Sequence, residues 1–394
     1  MVNNDLINIK ICFIIDSLDL GGANILTADL VNILAENGKD VSLITLRNTN
    51  NRILNLHNKV KLIETDIFSH KFLKRLIILY KLLRQFHIVH STLEQSNFYS
   101  SLVTIFLPSI TLICSVHGKE GVFIEDEELQ NELKKSVFRK YIIIVKYFQQ
   151  LLNRRFNKFI SLSIDTMDYL TNIRKIPVEK IKQIYYGYDF NKLGNKIMPE
   201  EAIRLKEKYG YAKEDFIVLY IGRITFAKGL ELLLESMPFL IKKYSNLKLL
   251  LVGDGEIKER LEILISEMGF GNKIQFAGLD YDVKKFYCMS DLFILPSNSE
   301  CIPLSVEEAM FLGTIVLTSN AGGLPEIVKD NFNGFVFEKG SSKSLIEKIV
   351  YIIENKHSID RIRKNAKEFV LDKFNLRKNY LDIMKLFNET ALKR

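Results

Sequence analysis

Apolar positions along the 394-residue chain fall into short continuous runs separated by segments with helical spacing. Ile7 to Ile15 is one such run, rich in β-branched residues. The turn Ser17–Asn24 follows it, and then Ala28, Val31, Leu34 and Ala35 recur at helical intervals up to Gly38. The pattern predicts a strand, a glycine turn and a helix. Val41–Leu46, Ile88–His90 and Ile110–Val116 predict further strands with helical segments between them. Continuous apolar runs, rather than strict alternation, are what strands covered on both faces require, so a parallel sheet between helix layers is expected. The rhythm resumes at Phe216–Ile221, Leu247–Val252, Ile274–Phe276, Leu292–Leu295, Ile315–Thr318 and Phe335–Phe337. Between the halves, Tyr186 to Asp215 holds Gly187, Gly194, Pro199 and Gly210, and a boundary is expected near Asn195. The expectation is an α/β chain of two doubly wound, Rossmann-like domains, 1–195 and 196–372, with a closing helix over 373–394 that can cross back to the first domain.

Composition narrows the class. With 47% hydrophobic and 26% charged residues and a mean hydropathy near zero, the chain is an ordinary globular one, which excludes disorder, collagen and small disulfide scaffolds. Cys12, Cys114, Cys288 and Cys301 are far apart and form no CxxC pair, so a reducing compartment is expected. The histidines show no metal-ligand spacing. The N-terminal residues lack the charged and apolar regions of a secretory leader, and the longest apolar runs reach about five residues against the roughly 20 of a spanning helix. A cytoplasmic location is expected.

Three segments carry candidate chemistry. A glycine turn between a parallel strand and a helix lets backbone N–H groups approach an anion at the positive end of the helix dipole, and Gly21 and Gly22 fit that use, as they would an unliganded tight turn. Gly253-Asp254-Gly255 begins like a dinucleotide fingerprint, but Lys258 stands where the third glycine would be, which disfavours a nicotinamide enzyme. GRITFAKG, Gly222–Gly229, places Arg223 and Lys228 in a strand-to-helix loop, where the two cations would neutralise a diphosphate or simply be solvated. SECIPLSVEEAMFLG, Ser299–Gly313, sets Glu300 before the proline that starts a helix and Glu308 within it, positions from which carboxylates can accept from vicinal hydroxyls. Glu307 is explained by the helix dipole alone.

Together these segments resemble the GT-B glycosyltransferases, specifically family 4. The resemblance runs through LGGAN (Leu20–Asn24), SVHG around His117, ISLS after Phe159, IYYGYD (Ile184–Asp189), GRITFAKG, LLLVGDGE, IQFAGL, SDLFILPS, the two glutamates eight apart, AGGLPEIV and NGFVF. It implies two Rossmann-like domains facing each other across a cleft and transfer of a sugar from a nucleotide donor with retention of configuration. Arg223 and Lys228 match the basic pair on the donor diphosphate, Glu308 the glutamate on the donor ribose, and Glu300 the one on the donor sugar, with the Cys301, Ile302, Pro303 and Leu304 amides nearby. Gly253 is counted with this donor set. His117 matches a histidine facing the sugar, and Gly22, beside Gly21, the glycine whose backbone approaches the phosphates. Tyr186 departs from the family's asparagine, a change expected to touch hinge geometry more than chemistry. Cys301 and Ile302 depart from its Gly-Phe and leave the sugar's identity open. His90 keeps a structural reading.

The resemblance further implies catalysis without a metal or other cofactor, the nucleotide sugar being a co-substrate, by front-face attack of the acceptor hydroxyl. UDP is the expected carrier. The alternatives are a sugar-nucleotide epimerase of the same fold and a non-catalytic nucleotide-sugar-binding subunit that activates a partner transferase. Fifty-five Lys and Arg against 47 Asp and Glu give a net charge of +8. Much of the excess lies in Lys71–Arg84, where Phe72, Leu76, Leu79 and Leu83 share a helical face, and in Lys134–Lys158. With the acceptor a glycan or a lipid-linked glycan, these segments predict peripheral contact with an anionic membrane and not with nucleic acid.

Overall fold

The structure is a computed structural model that describes residues 9–19, 21–48, 54–119, 148, 150–194, 198–355 and 359–391. Leu20, Asn195 and most of Lys134–Lys158 lie outside the described residues. The chain forms two compact units, Met1–Tyr188 with Phe374–Arg394, and Asp189–Lys373.

The first unit is built on a parallel sheet of seven strands among the described residues: β1 (Lys10–Ile15), β2 (Asp40–Thr45), β3 (Lys61–Glu64), β4 (Ile88–Thr92), β5 (Thr111–Val116), β6 (Lys158–Ser161) and β7 (Ile181–Gln183). Their order is β3-β2-β1-β4-β5-β6-β7, so the winding reverses between β1 and β4. Burial explains why the central strands read as apolar runs. Only Lys10 of KICFII in β1 is exposed, and every residue of β4 and β5 is buried. The strands that the pattern does not single out, β3, β6 and β7, are three or four residues long, and β3 and β7 are edge strands with polar residues facing out.

Helices α1 (Gly22–Glu36), α2 (Phe72–Leu83) and α3 (Glu94–Thr104) follow β1, β3 and β4. The closing helix Leu376–Ala391 belongs to this unit and packs beside α1, with Phe387 against Phe13 and His90. The chain leaves the unit at Tyr188 and returns at Phe374, where the Tyr188 N–H donates to the Phe374 carbonyl.

The second unit repeats the design with six parallel strands: β8 (Phe216–Ile221), β9 (Leu247–Val252), β10 (Ile274–Gly278), β11 (Leu292–Leu295), β12 (Ile315–Ser319) and β13 (Phe335–Phe337). Their order, β10-β9-β8-β11-β12-β13, reverses between β8 and β11. In open sheets of this kind, ligands bind beyond the carboxyl ends of the strands at the reversal. Each unit therefore has one such place, next to the loops after β1 and β4 in the first and after β8 and β11 in the second.

Candidate active site

In the second unit, the loops at the reversal are locked to one another. The Gly222 N–H extends the sheet to the Val252 carbonyl, and the Tyr220 hydroxyl donates to the Arg223 carbonyl at 2.6 Å, holding the turn from below. Gly253, at φ +139°, leaves no room for a side chain, because a Cβ there would stand 2.0 Å from the Gly222 carbonyl oxygen. Packing against Gly222 is thus sufficient to explain the glycine at 253. Arg223 projects from this loop into solvent.

Lys228 is the other cation of GRITFAKG, and the structure pairs it with the first of the two glutamates. Its Nζ forms an ion pair with Glu300 Oε1, with the side chains 17% and 10% exposed. Ser297 Oγ donates to the same carboxylate oxygen at 2.9 Å, and Ser319 Oγ donates to the Ser297 carbonyl at 2.6 Å. A charge-assisted cluster therefore joins the loops after β8 and β11 to the end of β12. Sequence reasoning did not find Ser297; its signal is its place three residues before Glu300.

Glu308 lies on the helix Leu304–Leu312, nearly buried, with the Tyr287 hydroxyl 3.0 Å from its Oε2. Glu307 corrects an expectation. A carboxylate placed only by the helix dipole would be solvated, but Glu307 is fully buried and neither of its carboxyl oxygens has a hydrogen-bond partner among the described residues. Burial, with the neighbouring Glu308 charge second, pushes its carboxyl well above the usual carboxylate range.

In the first unit, the two helix N-termini at the reversal differ. The one at α3 is occupied, since Asp16 at the end of β1 accepts from the Ser96 N–H at 2.8 Å and the Ser96 hydroxyl at 2.5 Å. The entry to α3 is also strained: Leu93 has φ 74° and ψ 164°, a conformation that costs a non-glycine residue roughly 1–3 kcal/mol. At α1 there is no side-chain cap and no acidic residue in the first turn. Gly21 there is extended, and a Cβ would meet nothing closer than 3.9 Å, so the protein's own packing does not demand glycine. Among the described residues, no side chain caps this N-terminus, where Gly21 is half-buried and Gly22 exposed.

His117 stands just past β5. Its Nε2 is sealed and has no hydrogen-bond partner among the described residues, and burial lowers its pKa to about 4. His117 is therefore neutral near pH 7. Beside it, Tyr186 lies two residues before the chain leaves the first unit at Tyr188, and it has side-chain partners that the expectation about hinge geometry did not include. It is buried inside the first unit, with its hydroxyl bonded to Ser115 and His90. His90 is fully buried and its pKa is lowered to about 3, by burial first and by His117 second, in keeping with a structural role.

Two family descriptions match the chain in tandem, Glycosyltransferase Family 4 over residues 20–192 and Glycosyl transferases group 1 over residues 202–369. The chain belongs to glycosyltransferase family 4. This family 4 chain is 29% identical over 235 residues to an uncharacterized glycosyltransferase of Methanocaldococcus jannaschii, a match covering 58% of the chain and 60% of that relative. It is 25% identical over 330 residues to the UDP-Gal:alpha-D-GlcNAc-diphosphoundecaprenol alpha-1,3-galactosyltransferase of Escherichia coli, covering 82% of the chain and 81% of the relative. Among solved structures, Anabaena HepE in complex with UDP and glucose superimposes with a TM-score of 0.79 at 20% identity, over 97% of this chain and all of that one. The fold is the two-domain α/β GT-B fold.

Proposed function

We propose that this transferase is a retaining, metal-independent enzyme that moves a sugar from a UDP-linked donor to a glycan or lipid-linked acceptor in surface polysaccharide or glycolipid synthesis. The observation that carries the reading is the part-buried Lys228–Glu300 pair at the reversal of the second sheet, with Arg223 exposed on the same loop. When the glycosidic bond breaks, negative charge develops on the departing diphosphate oxygen. Fixed cations beside it stabilise that charge without reorganising. Glu300 is assigned to the donor sugar and Glu308 to the donor ribose. His117 and the α1 amides are assigned to the reacting end. The acceptor hydroxyl bonds to the anomeric carbon on the face from which the diphosphate leaves, and passes its proton to that leaving oxygen. The carrier and acceptor classes draw support from the UDP bound to HepE and from the name of the E. coli relative.

A nucleotide screen tests the donor reading. At a hundredfold excess over its dissociation constant, UDP is expected to stabilise the protein by about 2.7 kcal/mol, with GDP giving less. Glu308→Ala should weaken UDP binding in calorimetry. Stabilisation by GDP alone would overturn the carrier, and release of an epimerised donor without acceptor would replace the transferase by an epimerase.

The membrane reading changes in its residues. Leu79 and Leu83 of α2 are fully buried in the first unit's core, so they are not free for lipid. Arg75 is also engaged, donating to the His70 and Phe68 carbonyls and the Tyr99 hydroxyl. A second stripe remains outside: Leu73, Ile77 and Tyr80, spaced i, i+4, i+7, are 69%, 47% and 38% exposed, with Lys74, Lys81 and Arg84 exposed beside them. This stripe supports peripheral attachment to the inner face of the cell membrane, at roughly 1 kcal/mol per cation near an anionic surface. No helix of the described residues is long and apolar enough to cross a membrane. The protein should float with anionic liposomes at low salt and release at high salt, and Leu73→Glu with Ile77→Glu should abolish flotation. Equal recovery with neutral liposomes, or no flotation, would remove this reading.

A further inference from the structure

We propose that Tyr186 is a positioning residue for His117: its ring sets the tilt of the imidazole, and its hydroxyl is anchored by Ser115 and His90. The proposal rests on the assignment of His117 to the transfer reaction.

The residues reach one place from three parts of the first sheet. His90 lies on β4 and Ser115 on the neighbouring β5, two residues before His117. Tyr186 arrives on the segment after β7, two strands further along the sheet. Its hydroxyl lies 2.5 Å from Ser115 Oγ and 3.0 Å from His90 Nε2, and Ser115 Oγ lies 2.6 Å from the same nitrogen. All three side chains are buried. Burial also keeps the group uncharged, lowering the His90 pKa to about 3 and raising the Tyr186 hydroxyl above its ordinary value. The two hydroxyls and Nε2 of this buried neutral triangle find in one another the partners that water would otherwise have supplied, while His90 Nδ1 has none among the described residues. If Tyr186 donates to Ser115 and Ser115 donates to Nε2, both hydroxyl protons are used and each of the two shortest contacts holds one. The phenol is then fixed at its far end.

The near side of the same ring meets His117. The centroids are 5.4 Å apart and the planes stand at 86°, an edge-to-face contact. Because His117 Nε2 lacks a hydrogen-bond partner among the described residues, no bond at that atom holds the imidazole. Tyr186 supplies one wall against which the imidazole packs. The energy of such a contact is modest, but turnover is sensitive to small displacements of a reacting group.

The test compares variants that keep or remove the ring. Tyr186→Leu should lower kcat about tenfold with donor KM within about twofold, whereas Tyr186→Phe should stay within about threefold of wild type. In a His117→Ala background, Tyr186→Leu should cost no further turnover, since residues acting through one another are not additive. A second readout does not depend on catalysis: the His117 ring-nitrogen resonances of the nucleotide-free protein should move in Tyr186→Leu and much less in Tyr186→Phe. An equal fold-loss in both backgrounds, or unmoved resonances in Tyr186→Leu, would overturn the proposal. Wild-type turnover of His117→Ala would instead sink the role of His117, leaving the resonances to decide whether Tyr186 positions it.

Discussion

Lys228→Ala is expected to lower turnover about 10²- to 10³-fold, the range typical of removing one preorganised stabiliser of developing charge. The substitution has two effects, of which the first sets that loss. The first is the missing cation at the departing diphosphate. The second arises in the resting protein, where the substitution leaves Glu300 nearly buried with the Ser297 hydroxyl at 2.9 Å and without its ammonium partner. Breaking such a part-buried pair from one side is destabilising because the remaining charge loses its partner, though Ser297 still donates to it. Glu300→Gln with Lys228→Ala removes that charge as well, so it should recover thermal stability without recovering turnover. Arg223→Ala gives the complementary measurement. Its side chain is exposed, so turnover should fall in the same range while stability changes little. Near-wild-type transfer by both single variants would remove the diphosphate assignment.

The contrast between Arg223 and Lys228 also marks how far the sequence could be read. Central strands were legible because a strand covered on both faces is buried along its length and so rich in apolar residues; β8, FIVLYI, is apolar throughout, and β1, β4 and β5 carry apolar runs beside Lys10, His90, Ser91, Thr92, Thr111 and Ser115. The loops after them were legible as glycine-rich turns with cations and carboxylates at fixed offsets. What those residues touch was not. The Lys228–Glu300 pair spans 72 positions, and the Asp16 cap on α3 spans 80. Such contacts follow from strand order, which no local pattern records. Glu307 failed for the same reason. A carboxylate in a first helical turn looks solvated until the surrounding core is known. Tyr186 was visible as a departure from the family pattern, but its meaning lay in hydroxyl and imidazole partners on β4 and β5. In α2, periodicity identified the buried Leu79 and Leu83 correctly as one face. It assigned them to lipid because it could not show that the core already holds them.

Gly322→Ala carries the other large expected effect, and it tests whether the loops act as one rigid frame for Glu300. Gly322 has φ +54°, and a Cβ there would stand 2.0 Å from the Glu300 carbonyl oxygen, which also accepts from the Gly323 N–H at 3.0 Å. The left-handed backbone by itself costs an alanine roughly 1–2 kcal/mol. The steric term is different in kind, because neither partner is a flexible side-chain tip. Either the turn at 322 or the backbone of Glu300 must move. A displacement of about 1 Å at a positioning group can cost about 10²-fold in rate, so Gly322→Ala should lower turnover by about that factor and stability by about 2–4 kcal/mol. Gly340→Ala separates the two contributions. Gly340 has φ +76°, and a Cβ there would meet nothing within 4 Å, so the variant should show the backbone cost alone, with turnover unchanged. If Gly322→Ala matches Gly340→Ala in both measurements, the Glu300 loop yields without consequence, and the frame does not govern where its carboxylate stands. If turnover falls in Gly322→Ala while UDP affinity is retained, the loss lies at the sugar end of the donor, where Glu300 is assigned.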